Sequence, residues 1–497
     1  MPDLSCPIQG VSSNRVLSDK LTPGPKDPMD EQHEAGPRSV AEDQAGYSRR
    51  VGLFSGVMLV IGGIIGSGIF LNPSIVAQRV HTPELTLGVW VLGGVVALIG
   101  AFVYGELGQR APKAGGSYVY LRDAFGPLPA FLNAWGLLLI IATGAVAAVA
   151  VAFASYTVAL LALPDTARLP LAVGAIVLLS GINYVGVRLG TLTQNVFTLL
   201  KLVALAVLCG AGLLLTRVAP ETALGASTTM PDSLGLAVSA ALVPVLFSYG
   251  GWQQTNFVAE EMIDPERNLP RALLLGVIAV VTIYLLANLT YLRTLGAEGL
   301  AASGAPAADA LGQLLGPGGR TFITAGIAVS TFGFLNLVIL VSPRVYQAMA
   351  ADGLFFPRLA RLHPRYRTPT SAIVFQAAWA IFLTLSGTYG DLLDSVVFAD
   401  WLVFGATAAT LFVYRARERA GSVPRARYRV PGAPITPLLF IAAAAYVGIG
   451  AIASNPANAL KGALLLLAGV PVFFFWRHRT SGGKNAPQVS AQAGGEG

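Results

Sequence analysis

The first thing scarce in this 497-residue sequence is charge. Asp, Glu, Lys and Arg together make up only 12% of it, against roughly 25% in soluble proteins. So few charges cannot cover a surface in water. A soluble enzyme, a disordered chain and an ordinary nucleic-acid-binding protein are excluded. Cysteine is scarce too. Cys6 lies in a polar tail and Cys209 in an apolar run, so no disulfide framework is expected. The four histidines, His33, His81, His363 and His478, are scattered, and none lies at the middle of an apolar segment. The sequence therefore offers no catalytic group, metal centre or cofactor site. No short apolar stretch with a cleavage site opens the chain, so no signal peptide is expected.

Apolar sequence is what the chain has in abundance, at 54% hydrophobic residues. A bilayer crossing needs about 20 predominantly apolar residues. Runs of that kind lie near 53–78, 86–110, 128–162, 169–186, 190–216, 236–261, 271–293, 321–349, 370–388, 392–414, 434–453 and 459–476. The expected class is an all-α integral membrane protein with twelve transmembrane helices in one domain over 51–480. Residues 1–50 and 481–497 read as disordered tails. The long run at 128–162 should tilt. The stretch 294–320 is too polar to span and reads as an external loop with a short helix.

Lys and Arg set the orientation. With the amino terminus inside, 26 of the 33 fall on cytoplasmic segments and six on external ones. The external six are Arg79, Arg168, Arg217, Arg293, Arg320 and Lys461, and Lys201 stays within the membrane. This asymmetry places both termini in the cytoplasm.

Two of the runs are interrupted. The first, GLFSGVMLVIGGIIGSGIFLNPS, carries Gly56, Gly62, Gly63, Gly66, Gly68 and Pro73. The sixth, LVPVLFSYGGWQQTNFVAEE, carries Gly250 and Gly251 after Pro244. Glycine costs about 1 kcal/mol in a helix interior, and no water rescues a loosened backbone at bilayer depth. Close packing through small residues accounts for Gly93, Gly94 and Gly100. The first and sixth runs are read instead as unwound. They lie five segments apart, in corresponding positions, which points to an inverted-repeat transporter with its site at the midplane. Repeats are placed at about 51–216 and 236–414, with extra helices in 434–476.

An unwound first helix ends near Ile64 with exposed carbonyls and restarts near Ser67 with exposed N–H donors. A helix start attracts a carboxylate. The sixth helix, broken around Phe247–Gly251, adds carbonyls of its own. Donors facing acceptors suit a zwitterion such as an α-amino acid.

The stretches GGIIGSGIF, YGELGQRAPKAGGSYVYLRDAFGP, FSYGGWQQTNFVAEEMIDPERNLPRAL and SPRVYQAMAADGLFFPRLARLHP occur in that order. Over roughly residues 50–480 the sequence resembles the amino acid–polyamine–organocation superfamily of permeases. Within it, the likeness is to the L-type amino acid transporter branch and its bacterial serine/threonine-exchanger relatives. The resemblance implies a LeuT-type fold of five plus five inverted helices with two more at the end. It implies carboxylate binding by Gly66, Ser67, Gly68 and the Ile69 N–H, and an ammonium-binding carbonyl on Ile64. Further carbonyls fall to Phe247, Ser248 and Gly250, with the Phe247 ring as an external gate. Side-chain selectivity falls to Gly251, Trp252, Gln253 and Gln254, and to Asp400 and Trp401. Two departures stand out. The loop ALPDTARLP lacks the cysteine that joins eukaryotic relatives to a heavy chain, so no disulfide-linked heavy chain is expected. GGWQQ stands where relatives often have GGWN.

Lys201 lies about 18 Å into the fifth helix at 1.5 Å per residue. A charge there costs at least ~2.5 kcal/mol. A lysine facing a wet cavity without function is the plainer reading. The sharper one is a tethered ammonium that replaces a coupling ion, binds carbonyls of the first helix and braces the eighth. Glu106, Glu260 and Glu261 are expected to pair with neighbours such as Arg110, Arg267 or Arg271. Asp400 either faces the pocket or sits near the outer vestibule. The expected function is sodium-independent secondary transport of amino acids, neutral ones foremost, by alternating access. The alternatives are a cationic amino acid or polyamine transporter anchored by Asp400 and, more remotely, an integral-membrane enzyme.

Overall fold

Apolar composition drives the chain into helices, because only a helix satisfies its own backbone where there is no water. The computed structural model describes residues 46–216, 233–387, 397–454 and 456–482. Among these there is no strand, only one isolated bridge between Val51 and Met262. The expectations for the two tails lie outside the described residues but for their inner ends.

The first run forms two helices, α1 (Leu53–Ile64) and α2 (Gly68–Val80), bent by 42° at the break. Then come α3 (Pro83–Arg110) and the short α4 (Ser117–Phe125). Helix α5 (Pro127–Leu161) takes in a π turn at Leu137–Ile141. Helices α6 (Arg168–Val185) and α7 (Val187–Leu215) follow. The sixth run is α8 (Leu234–Ser248), a turn, and a 3-10 helix over Trp252–Glu261. After it come α9 (Pro265–Ala302), α10 (Pro306–Ala351), α11 (Thr370–Ser386) and α12 (Val397–Arg419). The chain closes with α13 (Ile435–Ser454), α14 (Pro456–Leu467) and α15 (Gly469–Gly482).

Among the described residues, eight helical spans are long and apolar enough to cross a membrane, nine with the bent pair. This is a multi-pass membrane protein. Helices Thr370–Ser386 and Ile435–Gly450 are apolar but shorter. Residues 294–320 differ from expectation. Helix α9 bends at Gly296 and runs on to Ala302, and α10 starts at Pro306 and bends at Gly316. Two helical arms thus stand where one short helix was expected. Both bending glycines have φ near +70°, a turn that glycine alone makes without steric cost.

Lost helical bonds are taken up across the core. Proline cannot donate to the carbonyl four residues back. Pro73 leaves the Ile69 carbonyl free, and the Tyr291 hydroxyl donates to it at 3.3 Å. Pro244 leaves that of Ala240 free, and Arg79 Nη1 donates to it.

One end of the molecule carries buried ion pairs. Glu106 accepts from Arg110 at 2.6 Å, Arg415 at 2.5 Å and the Val430 N–H at 2.7 Å. Arg110 also reaches Glu418 at 2.6 Å. The expected Glu106–Arg110 pair is present. Glu261, however, pairs with Arg344 of α10 at 2.7 Å, both fully buried, rather than with Arg267 or Arg271. Both α9 and α10 pack against the 3-10 helix, and it is Arg344 of α10 whose guanidinium reaches the Glu261 carboxylate, through Nε and Nη2. Glu260 accepts from the Ala114 N–H at 3.1 Å.

Candidate functional site

The break in the first run is short. The Ile65 N–H still bonds the Ile61 carbonyl at 2.9 Å, and Gly66 N–H bonds Ile64 at 2.9 Å. Ser67 caps α2 without using its side chain on the helix. The first N–H groups of α2, beginning with Gly68 and Ile69, have no intrahelical partner because a helix start has none to give them. Gly66 and Ser67 are half-buried, while Gly68 and Ile69 are buried.

The carbonyls of this break are taken by side chains from three other helices. Lys201 of α7 is fully buried and donates from Nζ to Gly62 at 3.2 Å and Ile65 at 2.7 Å. Ser330 of α10 donates to Ile65 and Gly66 at 3.2 and 3.3 Å. The Tyr284 hydroxyl of α9 lies 3.0 Å from the Ile64 carbonyl and 3.2 Å from that of Ser248. Tyr284 therefore ties the two breaks together. With the Gly66 N–H it takes both lone pairs of the Ile64 carbonyl, so a ligand donor reaches that oxygen only by displacing or sharing one of them.

The second break is closed from within. Gly250 N–H bonds the Phe247 carbonyl at 3.1 Å, and Gln253 Oε1 accepts from the Gly251 N–H at 2.9 Å. Gly251 has φ +106°. A Cβ there would stand 2.1 Å from the Gly63 carbonyl oxygen, and a Cβ on Gly63 would stand 2.9 Å from the Gly251 oxygen. The two breaks thus touch backbone to backbone, and the glycines are what permit it. Gly68 packs on Ser248 in the same way, its Cβ position 2.6 Å from Oγ. Asn72 of α2 clamps the pair, donating to Ser248 Oγ at 2.8 Å and to the Pro244 carbonyl at 3.0 Å.

Of the residues expected at the site, Ile64, Gly66, Ser67, Gly68, Ile69, Ser248, Gly250 and Gly251 lie on the two breaks. The Phe247 ring is 64% exposed beside them. Trp252 stands edge-on to Tyr104 at 4.9 Å and near Phe440 at 6.1 Å. Trp401, Gly250, Trp252 and Phe404 line one small aromatic cleft. Gln253 is spent on the turn, and Gln254 Oε1 is buried without a partner among the described residues. Asp400 lies half-buried in the first turn of α12.

Sequence reasoning missed Tyr284, Tyr291, Ser330 and Asn72. A signal existed for two of them. Tyr284, Asn288 and Tyr291 form a polar stripe at i, i+4 and i+7 on an otherwise apolar helix.

Two facing backbone breaks on interrupted membrane helices are the arrangement expected of a carrier. The chain matches the amino acid permease family over residues 51–473, and it belongs to that family. It is 32% identical to the rat (Rattus norvegicus) large neutral amino acids transporter small subunit 2, over 91% of this chain and 86% of the relative. To the Homo sapiens Asc-type amino acid transporter 1 it is 32% identical, over 88% and 85%. The Homo sapiens b(0,+)-type amino acid transporter 1 is also 32% identical, over 86% and 88%. The chain is an amino acid transporter, and these relatives are transporters rather than enzymes.

Proposed function

We propose that the protein carries neutral amino acids across the cytoplasmic membrane by alternating access, without sodium. The arrangement we infer is of the LeuT type. It has twelve crossings, 5+5 inverted repeats at about 51–216 and 236–414, two further helices and both termini cytoplasmic. The long apolar spans, the bent pair, the two shorter apolar helices and α12 supply the crossings. The observation that carries the reading is Lys201. Its ammonium sits on the Gly62 and Ile65 carbonyls of the break, where a coupling cation would otherwise be needed.

In this reading the substrate carboxylate lies on the N–H groups of Ser67, Gly68 and Ile69, with Gly66 bordering the site. The ammonium lies on the carbonyls of Phe247, Ser248 and Gly250 and on that of Ile64, where it displaces one of the two donors now there. The Phe247 ring closes over the ligand, while Gly251, Trp252, Gln253, Asp400 and Trp401 shape the space for its side chain. A relative named for large neutral amino acids supports the substrate class. That relative is named a small subunit, yet we expect no disulfide-linked heavy chain here. The loop ALPDTARLP has no cysteine, and Cys209 is buried.

Counterflow of the twenty radiolabelled amino acids into proteoliposomes tests this, with and without sodium and with putrescine as competitor. Neutral amino acids should drive flux in sodium-free buffer. Putrescine outcompeting every amino acid would overturn the reading and make Asp400 the anchor of a polyamine site.

A further inference from the structure

Helix α7 does more than present Lys201. Gln194, Thr198 and Lys201 lie at i, i+4 and i+7 on one of its faces, and all three are fully buried. That side reaches α1 by three rungs. Asn195 Nδ2 donates to Ser55 Oγ at 3.0 Å, Thr198 Oγ1 to the Met58 carbonyl at 3.2 Å, and Lys201 to Gly62 and Ile65.

Behind the middle rung runs a chain of amides. Asn183 of α6 donates from Nδ2 to Asn336 Oδ1 of α10 at 2.9 Å. Asn336 Nδ2 donates to Gln194 Oε1 at 2.9 Å and to the Gly190 carbonyl at 3.2 Å. Gln194 Nε2 donates to Thr198 Oγ1 at 3.2 Å, and the Thr198 hydroxyl donates in turn to the Met58 carbonyl. Asn183, Asn336, Gln194 and Thr198 are all fully buried. Four hydrogen bonds therefore run in one direction through four helices, each donor polarising the next. Gly62 fits the chain's flank closely, since a Cβ there would stand 2.0 Å from Gln194 Nε2.

We propose that Asn183, Asn336 and Gln194 are positioning residues for transport. They fix the rotation and height of α7, and so aim Thr198 and Lys201 at the backbone of α1. None of the three belongs to either break, though Gln194 flanks the first at Gly62. The bonds within α6, α7 and α10 stay while α1 leaves and returns, and the Met58 rung is the one that opens and closes. Cutting the chain turns Thr198 away from Met58 and shifts the population toward the state in which α1 has parted from α7. This rests on the alternating-access reading.

The test reads α1 directly. Met58→Cys is placed in full-length protein carrying Cys6→Ser and Cys209→Ala, and its maleimide labelling is timed in proteoliposomes. Gln194→Met and Asn336→Leu should each speed labelling by about three- to tenfold, the worth of one interhelical bond in a membrane protein. In a control background with Val341→Cys in place of Met58→Cys, the reporter is on α10 at a fully buried position, against 8% exposure for Met58, and labelling should keep its parental rate. The uptake KM should shift as the thiol at position 58 becomes more reactive. Unchanged labelling at position 58 in both variants overturns the proposal, as does an equal rise at position 341, which reports general loosening. Labelling needs no substrate. A parent that moves no amino acid would sink the functional reading and still leave this result legible.

Discussion

The two breaks are held open in different ways. Side chains from α7, α9 and α10 grip the first from outside, through Lys201, Tyr284 and Ser330. The second is set by its own glycine conformation and by Gln253, two residues from the amide it caps. A gripped break depends on helices that can move relative to it. A self-closed break keeps its shape wherever the neighbours go. We infer that the first is the switchable half of the site and that the second, held by its own turn as well as by Tyr284 and Asn72, is its fixed wall.

Lys201→Ala should separate the two most. It removes two charge-assisted hydrogen bonds to buried carbonyls, at about 1.5–3 kcal/mol each, so sodium-free uptake should fall at least roughly a hundredfold. Normal sodium-free flux in a correctly inserted mutant would refute the tethered ammonium. Gly251→Ala attacks the fixed wall. Its strained φ alone costs about 1–3 kcal/mol, and its Cβ meets the Gly63 carbonyl at 2.1 Å. Uptake should drop by roughly ten- to a hundredfold, with a lower melting temperature. Gly250→Ala, whose Cβ would stand 3.3 Å from its nearest neighbour, is the milder partner.

The ligand can be cut instead of the protein. If peptide groups hold both charges of the substrate, a methyl ester should compete at least roughly tenfold more weakly than its amino acid. Equal inhibition constants would remove the carboxylate from the α2 amides. Gly68→Val should act on the same amides, with its Cβ driven into Ser248. Tyr284→Phe removes the one hydroxyl shared by both breaks and should lower transport about tenfold. Gln253→Leu leaves the glycine turn standing and one N–H unpaired, so about fivefold is expected. A larger loss for Gln253→Leu than for Tyr284→Phe would reverse the assignment of fixed and movable halves.

Much of this was legible along the chain. Glycine pairs inside apolar runs marked both breaks to within a few residues, and the start of α2 fell one residue from the expected Ser67. Lys201 was conspicuous as a cation at bilayer depth. The Glu261 partner was not legible, because arginines lay nearer in sequence than Arg344, 83 residues away. The contact of the Trp252 ring with Tyr104 and Phe440 was not legible either, because the Gly251 turn sets it.

Sequence by itself determined the medium, the helices and where two of them fail, since hydropathy and backbone propensity act within a few turns of chain. Tertiary structure alone decided which donors meet the freed carbonyls. Ser330 reaches Ile65 across 265 residues and Tyr284 reaches Ile64 across 220. No periodicity records such a pairing. It follows from helices packing so that no buried carbonyl is left without a partner, and that requirement is met only when every helix is in place.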